Sequence, residues 1–184
     1  MNTDFVTGVS DAASDRISLL FNSDEGRAYL RGRKGVDSTL IGDLGHLGLS
    51  SVANLIAAIK LAKYLKLGGE DAVITIATDG AAMYGTEYRI ATDRYFDSRF
   101  DSLSAAEVFG QHILGAATDH LIELTLRDRE RIFNLGYYTW VEQQGVSVAE
   151  FEERRKQKFW DRLVDHVPVW DALIDSFNAL ITEA

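Results

Sequence analysis

The fold is decided by the stretch Gly48-Leu49-Ser50-Ser51, which begins a long apolar segment predicted to be helical over residues 50–67. Apolar side chains surround most of this helix, which is typical of a buried element. A continuous β-branched run, Ala72-Val73-Ile74-Thr75-Ile76-Ala77, follows and predicts a strand inside a parallel sheet. This strand ends in the polar turn Thr78-Asp79-Gly80. Open α/β sheets bind ligands at the carboxyl ends of their strands, so the turn and the helix start mark a candidate site.

The segments around this stretch alternate between strand and helix up to about residue 100. Phe5–Val9 is predicted to be a short strand, and Ser10 or Asp11 is predicted to begin a helix that runs to about Phe21. From Leu103 onward the sequence predicts successive amphipathic helices, with Ser104 and Glu107 interpreted as a capping box. We therefore expect an α/β portion over residues 1–100 and an all-helical portion over residues 101–184.

Composition excludes several classes of function. The chain has 184 residues, 46% of them hydrophobic, which is enough for a sizeable core. Its net charge of -9 disfavours nucleic acid and anionic membrane surfaces as partners. Cysteine is absent, so disulfides, thiolate metal sites and thiol nucleophiles are excluded. The apolar helix carries Lys60, Lys63 and Lys66, interpreted as reaching solvent, and no signal peptide is apparent. A cytoplasmic protein is expected.

The paired hydroxyls of Ser50 and Ser51 have two interpretations. A serine before an apolar helix is most often an N-cap. Two adjacent serines allow one hydroxyl to cap the helix while the other faces a ligand. A neutral hydroxyl bonded to a pyridine nitrogen leaves that nitrogen unprotonated, whereas a carboxylate would keep it charged. Such a contact suits elimination and replacement chemistry.

Thr78 and Asp79 likewise have a structural and a functional interpretation of equal weight. They form either a strand-to-helix turn with an aspartate cap or the polar wall of a cleft. The histidines are predicted to have packing or surface roles, since no metal-binding spacing occurs. No glycine-rich run resembles a phosphate-binding or dinucleotide-binding loop.

The order of these motifs resembles the C-terminal third of fold-type II pyridoxal-phosphate enzymes, in particular the cysteine synthase and tryptophan synthase β-subunit group. The resemblance covers about residues 1–96 and departs from the family at Val52, where glycine is usual. The helical remainder, including Tyr138–Gly145, resembles an extension found in a cysteine-synthase-like subgroup. The implied fold is α/β, a partial tryptophan synthase β-like three-layer α/β/α arrangement with parallel strands. An all-helical C-terminal extension would pack on it.

The resemblance implies pyridoxal 5'-phosphate as the cofactor of the complete enzyme. It places Ser50, or Ser51, against the pyridine nitrogen and Thr78 and Asp79 near the ring edge. It assigns no catalytic residue to this chain, since no lysine matches the family's Schiff-base lysine and the phosphate loop has no counterpart. The implied function is the C-terminal half of an amino-acid lyase or transferase that performs β-elimination or β-replacement. The implied partners are the missing N-terminal half, in cis or in trans, a homo-oligomer mate and an amino-acid substrate.

An alternative from another class stays open. The chain could be a non-catalytic binding or regulatory module that reuses the same half-fold, with the acidic helical tail as its contact surface. Under the enzyme interpretation, the isolated chain should expose apolar faces and self-associate, because a half-domain lacks the elements that would cover them.

Overall fold

The computed structural model describes residues 3–182, and it is mostly helical, about 70%, with a two-stranded sheet. Two strands occur in this range, β1 (Phe5–Thr7) and β2 (Leu121–Glu123), and they pair with each other. The α-helices in the same range are α1 (Asp11–Asn22), α2 (Asp24–Lys34), α3 (Ser38–Asp43), α4 (Leu49–Leu65), α5 (Gly85–Phe96), α6 (Ser102–Val108), α7 (Leu126–Tyr137), α8 (Val148–Glu153), α9 (Gln157–Val164) and α10 (Val167–Thr182).

Short helical turns connect several of these elements. Leu44–His46 and Ala81–Tyr84 are 3₁₀ turns, and Phe109–Leu114 and Tyr138–Gln143 are π-helical. By its internal contacts the chain divides into two compact units. One is Phe5–Ile122, and the other comprises the described residues up to Asp4 and from Glu123 onward. The first unit thus extends to residue 122, whereas the change in sequence character predicted a boundary near residue 100.

The core of the Phe5–Ile122 unit is built around α1. Ser10 caps this helix by accepting a hydrogen bond from the Ala13 amide, as the sequence predicted. Ile17 and Leu20 are almost completely buried, and α1 packs against α2, α4 and α5. Gly35 ends α2 in a left-handed conformation that suits glycine. The N-terminal helices are therefore tied to one apolar cluster.

Helix α4 has the predicted position but a different end and different surroundings. Lys66 adopts the left-handed conformation that ends it, with φ 56°, so the helix ends at Leu65 and not at residue 67 as the sequence predicted. Val52 and Ile56 are buried, while most of its other apolar side chains are only partly buried. The expectation of burial on nearly all sides is therefore wrong for the chain by itself.

The predicted strand over residues 72–77 is extended, but no strand pairs with it among the described residues. The carboxamide of Asn54 in α4 donates to the Ile76 carbonyl at 3.1 Å and holds the segment against that helix. Strand pairing requires a neighbouring strand at hydrogen-bonding distance, which local propensity does not supply. The protein is thus α-rich, and a three-layer parallel arrangement is not seen in residues 3–182.

Two predictions beyond residue 100 are wrong. Asp101, rather than Ser104 with Glu107, caps α6, since its carboxylate accepts from the amides of Leu103 and Ser104, each at 3.0 Å. Residues 121–123 form β2 instead of continuing a helix, because they pair with β1, which lies near the start of the sequence. Pairing between two segments so far apart in the sequence cannot be predicted from the local pattern of either one.

The second unit is helical and is organised around Phe151. The Phe151 ring packs against Phe133 at 4.7 Å between centroids, and Arg155 lies 3.8 Å over the Phe133 ring. Capping boxes begin α7, at Thr125 with Asp128, and α8, at Ser147 with Glu150. Helix α10 has exposed side chains throughout residues 167–181.

No single helix within residues 3–182 is long and apolar enough to span a membrane. The segments Ser38–His46 and Leu49–Leu65 reach the length and apolar composition of a membrane span only when they are taken together. The chain bends by 117° between them.

Candidate functional site

The start of α4 places the two serines in different environments. Successive residues of a helix point in directions about 100° apart, so neighbouring side chains can face different surroundings. Ser51 is 1% exposed, whereas Ser50 is exposed. Gly48 occupies the N-cap position and provides no side-chain cap. The prediction that one of the two serines caps the helix is therefore wrong, and the helix starts without a hydroxyl cap.

Ser51 fastens the end of the extended segment to α4. Its hydroxyl oxygen accepts a hydrogen bond from the Thr78 amide at 2.9 Å and lies 3.3 Å from the Thr78 hydroxyl. The Thr78 hydroxyl donates to Asp79 Oδ1 at 3.1 Å. The structure therefore brings Ser51, Thr78 and Asp79 together in one network of polar side chains.

Tyr84 completes this network, and the sequence analysis did not select it. Its phenol donates to Asp79 Oδ2, so both carboxylate oxygens of Asp79 have a partner. The hydrogen bond to Asp79 raises the pKa of Tyr84, because the carboxylate favours the protonated phenol. The sequence offered one indication of this role, the position of Tyr84 shortly after the turn Thr78-Asp79-Gly80. We call Ser51, Thr78, Asp79 and Tyr84 the hydroxyl–carboxylate network.

Beside this network there is no room for a side chain at position 48, which is a glycine. A Cβ atom at this position would lie 2.2 Å from Asp79 Oδ1 and 2.8 Å from Tyr84 Cε2. The Gly48 amide also donates to the Asp79 carbonyl at 2.7 Å. The glycine thus lets the helix start approach the turn so closely that its backbone bonds the turn directly.

A second tyrosine lies behind the network. Burial is the main cause that raises the pKa of Tyr88, and the nearby Tyr84 and Asp79 raise it further. Its hydroxyl accepts from the Asn22 carboxamide at 3.4 Å. Both phenols are therefore protonated at neutral pH and act as hydrogen-bond donors or acceptors rather than as bases.

Ser50 is the one predicted site residue outside the network. Its exposed hydroxyl has no hydrogen-bond partner within the described residues, and it lies in the first turn of α4 next to Ser51. A hydroxyl in this position is a neutral donor for a ring nitrogen. The donor chemistry of Ser50 therefore fits the ring nitrogen of pyridoxal phosphate, with the network behind it holding the turn in place.

Lys60 and Lys63 of α4 bind oxygen atoms of other segments of the chain. Lys60 is 6% exposed and donates to the Gly8 carbonyl at 2.9 Å, and it lies 3.1 Å from Asp119. Lys63 donates to the carbonyls of Leu114 and Ala116. The interpretation of Lys60 as a solvent-reaching side chain is therefore wrong, because the side chain is buried and its ammonium is bound by a carbonyl and a carboxylate oxygen.

Comparison with known proteins adds no further assignment. Neither a protein-family model, nor a curated protein, nor a solved structure matches this chain.

Proposed function

We propose that this chain is the C-terminal half of a pyridoxal-phosphate-dependent lyase or transferase that acts on an amino acid by β-elimination or β-replacement. The observation that carries the proposal is the exposed, unpartnered hydroxyl of Ser50 beside the hydroxyl–carboxylate network. When bound, pyridoxal phosphate supplies the electron sink that such reactions require. The partial three-layer α/β/α fold with parallel strands belongs to this proposal and forms once further strands are present.

Each site residue then has a distinct role. Ser50 would donate a hydrogen bond from its neutral hydroxyl to the ring nitrogen, and that nitrogen would stay uncharged because the proton remains on the hydroxyl oxygen. Ser51 and Thr78 fix the distance between the start of α4 and the turn, through the 2.9 Å bond from the Thr78 amide. Asp79 is held by two hydroxyl donors, so each of its carboxylate oxygens already has a hydrogen-bond partner within the chain. These roles are binding and positioning, and none of them moves a substrate proton.

The reaction requires groups that this chain does not contribute. An imine-forming lysine and a phosphate cradle have to come from another polypeptide stretch, in cis or in trans. Lys60 and Lys63 are unsuitable because their ammonium groups are bound to carbonyl and carboxylate oxygens. A homo-oligomer of the completed enzyme and an amino-acid substrate are part of the same proposal.

The test is to co-express the chain with the polypeptide encoded directly upstream, add pyridoxal phosphate and reduce the complex with borohydride. Mass spectrometry should find the reduced cofactor on a lysine of the upstream polypeptide. Ser50→Asp should change the absorbance of the bound cofactor, because a carboxylate keeps the ring nitrogen protonated. Ser50→Thr is the matched control that retains the hydroxyl and the spectrum.

The proposal is wrong if no lysine of the upstream polypeptide is labelled, or if Ser50→Asp leaves the spectrum unchanged. A binding module without catalytic function would give the first of these results.

A further inference from the structure

A cavity lies between the start of α1, helix α4 and the loop before β2. Its volume is about 380 Å³, which is large enough for a small metabolite. Ala13 of α1 and Ile56 of α4 form an apolar part of its wall. Lys60 and Asp119 bring charged groups to the same lining, and residues 115–117 are small. The cavity therefore combines apolar surface with a few polar groups, as sites for small molecules commonly do.

The loop that forms one side of the cavity is fastened to its neighbours. The Gly8 amide donates to the His120 carbonyl at 2.8 Å, and the Lys63 ammonium donates to the Ala116 carbonyl at 2.7 Å. His120 has φ 51°, a left-handed conformation that residues other than glycine adopt infrequently. Such conformations persist where the surrounding structure enforces them, and they cluster at ligand sites. The wall of the cavity is therefore held in place by the fold itself.

Lys60 brings a buried ammonium group to the cavity. The residue is 6% exposed, its Nζ donates to the Gly8 carbonyl at 2.9 Å, and Nζ lies 3.1 Å from Asp119 Oδ1. Lysine is rarely buried so completely, because removing its charge from water costs free energy. An ammonium group has three N–H donors, and these contacts use two of them. One donor of Lys60 is therefore left without an acceptor among residues 3–182.

Asp119 has acceptor capacity to spare as well. Its second oxygen, Oδ2, lies 3.6 Å from His120 Nε2, and its side chain is 60% exposed. A carboxylate has about four acceptor positions, which is more than Lys60 and His120 occupy. The lining thus offers one unused cationic donor and several unused anionic acceptor positions.

The signs of these charges select the class of ligand. Burial is the main cause that lowers the pKa of His112 in the lining, and Arg16 lowers it further, so this ring is neutral at neutral pH. A simple anion in the cavity would meet the Asp119 carboxylate, and a simple cation would meet the Lys60 ammonium. A zwitterion satisfies both groups, because each of its charges can face the opposite charge of the protein.

We propose that this cavity binds a small zwitterionic amino acid with an apolar side chain. The ligand carboxylate accepts from Lys60, the ligand ammonium donates to Asp119, and its side chain packs against Ala13 and Ile56. The first turn of α1, which also borders the cavity, favours the carboxylate because its amides lack intrahelical partners.

This site is separate from the contact proposed for the cofactor ring. Lys60 and Ser50 are separated by about 15 Å along the axis of α4. An amino acid bound beside Lys60 is therefore distinct from the reacting substrate of the proposed enzyme. The inference goes beyond the proposed function and does not depend on it.

Isothermal titration calorimetry of the full chain at neutral pH, without cofactor, tests the site with matched ligands. L-valine carries both charges, isovalerate is the same molecule without the ammonium, and isobutylamine is the same molecule without the carboxylate. Valine should bind at least about tenfold more tightly than either analogue, because each analogue leaves one charge of the Lys60–Asp119 pair facing no counter-charge and lacks one contact.

Asp119→Asn should change the order of the ligands. It should weaken valine binding and strengthen isovalerate binding, because a carboxamide does not repel a carboxylate. A general loss of structure would weaken both ligands, so opposite changes identify a role of Asp119 in binding.

A variant that fills the cavity tests its position. Ala117 lines the cavity and is exposed, so Ala117→Leu should weaken valine binding by about tenfold through a steric clash without removing a core side chain. Ala82→Leu is the matched control, because Ala82 is also exposed and lies outside the lining.

The inference is overturned if valine binds no more tightly than the two analogues, or if Ala117→Leu leaves its affinity unchanged. A preference of the natural chain for isovalerate would also overturn it, since the cavity would then be a site for simple carboxylates. None of these measurements involves the upstream polypeptide or cofactor labelling, so their outcome is independent of the test of the proposed function.

Discussion

Ser50 and Ser51 show that one helical step separates a structural residue from a candidate ligand contact. The sequence identified the pair as important but could not decide which hydroxyl turns inward. That choice follows from the packing of α4 on α1, which buries the face that carries Ser51, Val52 and Ile56. Tyr84 was missed for a similar reason, because its bond to Asp79 depends on how the chain turns after Gly80.

Alanine at each serine position should separate the two roles. Ser51→Ala removes the acceptor of the Thr78 amide in a buried position and should lower the free energy of unfolding by about 1–2 kcal/mol. Ser50→Ala removes an exposed hydroxyl and should change it by less than about 0.5 kcal/mol. Urea unfolding of both variants measures this difference. Equal effects of the two substitutions would show that the hydroxyl–carboxylate network does not stabilise the fold.

Gly48→Ala should destabilise the protein through crowding, because the new methyl group would meet the Asp79 carboxylate and the Tyr84 ring. The expected loss is about 1–3 kcal/mol, as for other overpacked sites. Gly32→Ala is the matched control, since nothing lies within 4 Å of the added Cβ there. In the last turn of α2 this control should stabilise by about 0.5 kcal/mol, so the two alanines should shift the urea midpoint in opposite directions. A midpoint for Gly48→Ala at or above the natural one would contradict the crowding.

At the scale of elements, sequence patterns placed helices well and failed where two distant segments meet. Ser10 begins α1 as predicted, because capping is local chemistry. The end of α4 at Lys66, the pairing of β2 with β1 and the burial of Lys60 all depend on contacts between distant residues. The run over residues 72–77 has the composition of a strand, but a strand needs a partner, and none pairs with it within the described part of the chain.

The bond between α4 and the loop before β2 should make stability depend on pH. The hydrogen bond from Lys60, followed by the charges of Lys60 and His120, lowers the pKa of Asp119 in the folded protein, although burial opposes this. A carboxyl group with a lowered folded-state pKa stabilises the fold above its ordinary value of 3.8. This contribution is lost as the pH falls from that value through the folded-state pKa.

Asp119→Asn should therefore be less stable than the natural protein near neutral pH, and the difference should shrink in acid. Urea midpoints at about pH 7, 5 and 3 measure it, with equal differences at the first two values and a smaller one at the third. Asp93→Asn, on an exposed position of α5, controls for the change in net charge. A difference that stays constant down to the lowest pH would show that the ion pair with Lys60 contributes nothing.

For the whole molecule, the balance between covered and open apolar surface is the property that distinguishes this chain. The core around α1 is well buried. Two groups of apolar side chains are exposed, the isoleucines of residues 72–77 and a set on α10. Trp170, Leu173 and Phe177 of α10 are each more than half exposed. Apolar patches of this kind on a folded chain mark interaction sites or surfaces prone to aggregation.

The isolated chain should therefore self-associate, with α10 as a main contributor. Leu173 and Phe177 lie one turn apart on the helix, so Leu173→Glu with Phe177→Glu places two charges on one apolar face. Sedimentation should show association that rises with concentration in the natural chain and falls in this double variant, and binding of a hydrophobic dye should fall with it. Leu103→Glu is the matched control, because Leu103 is 67% exposed on the short helix α6 and adds the same kind of charge away from α10. A natural chain that sediments as a monomer at all concentrations and binds no dye would contradict both the role of α10 and the interpretation of the chain as one half of a larger enzyme.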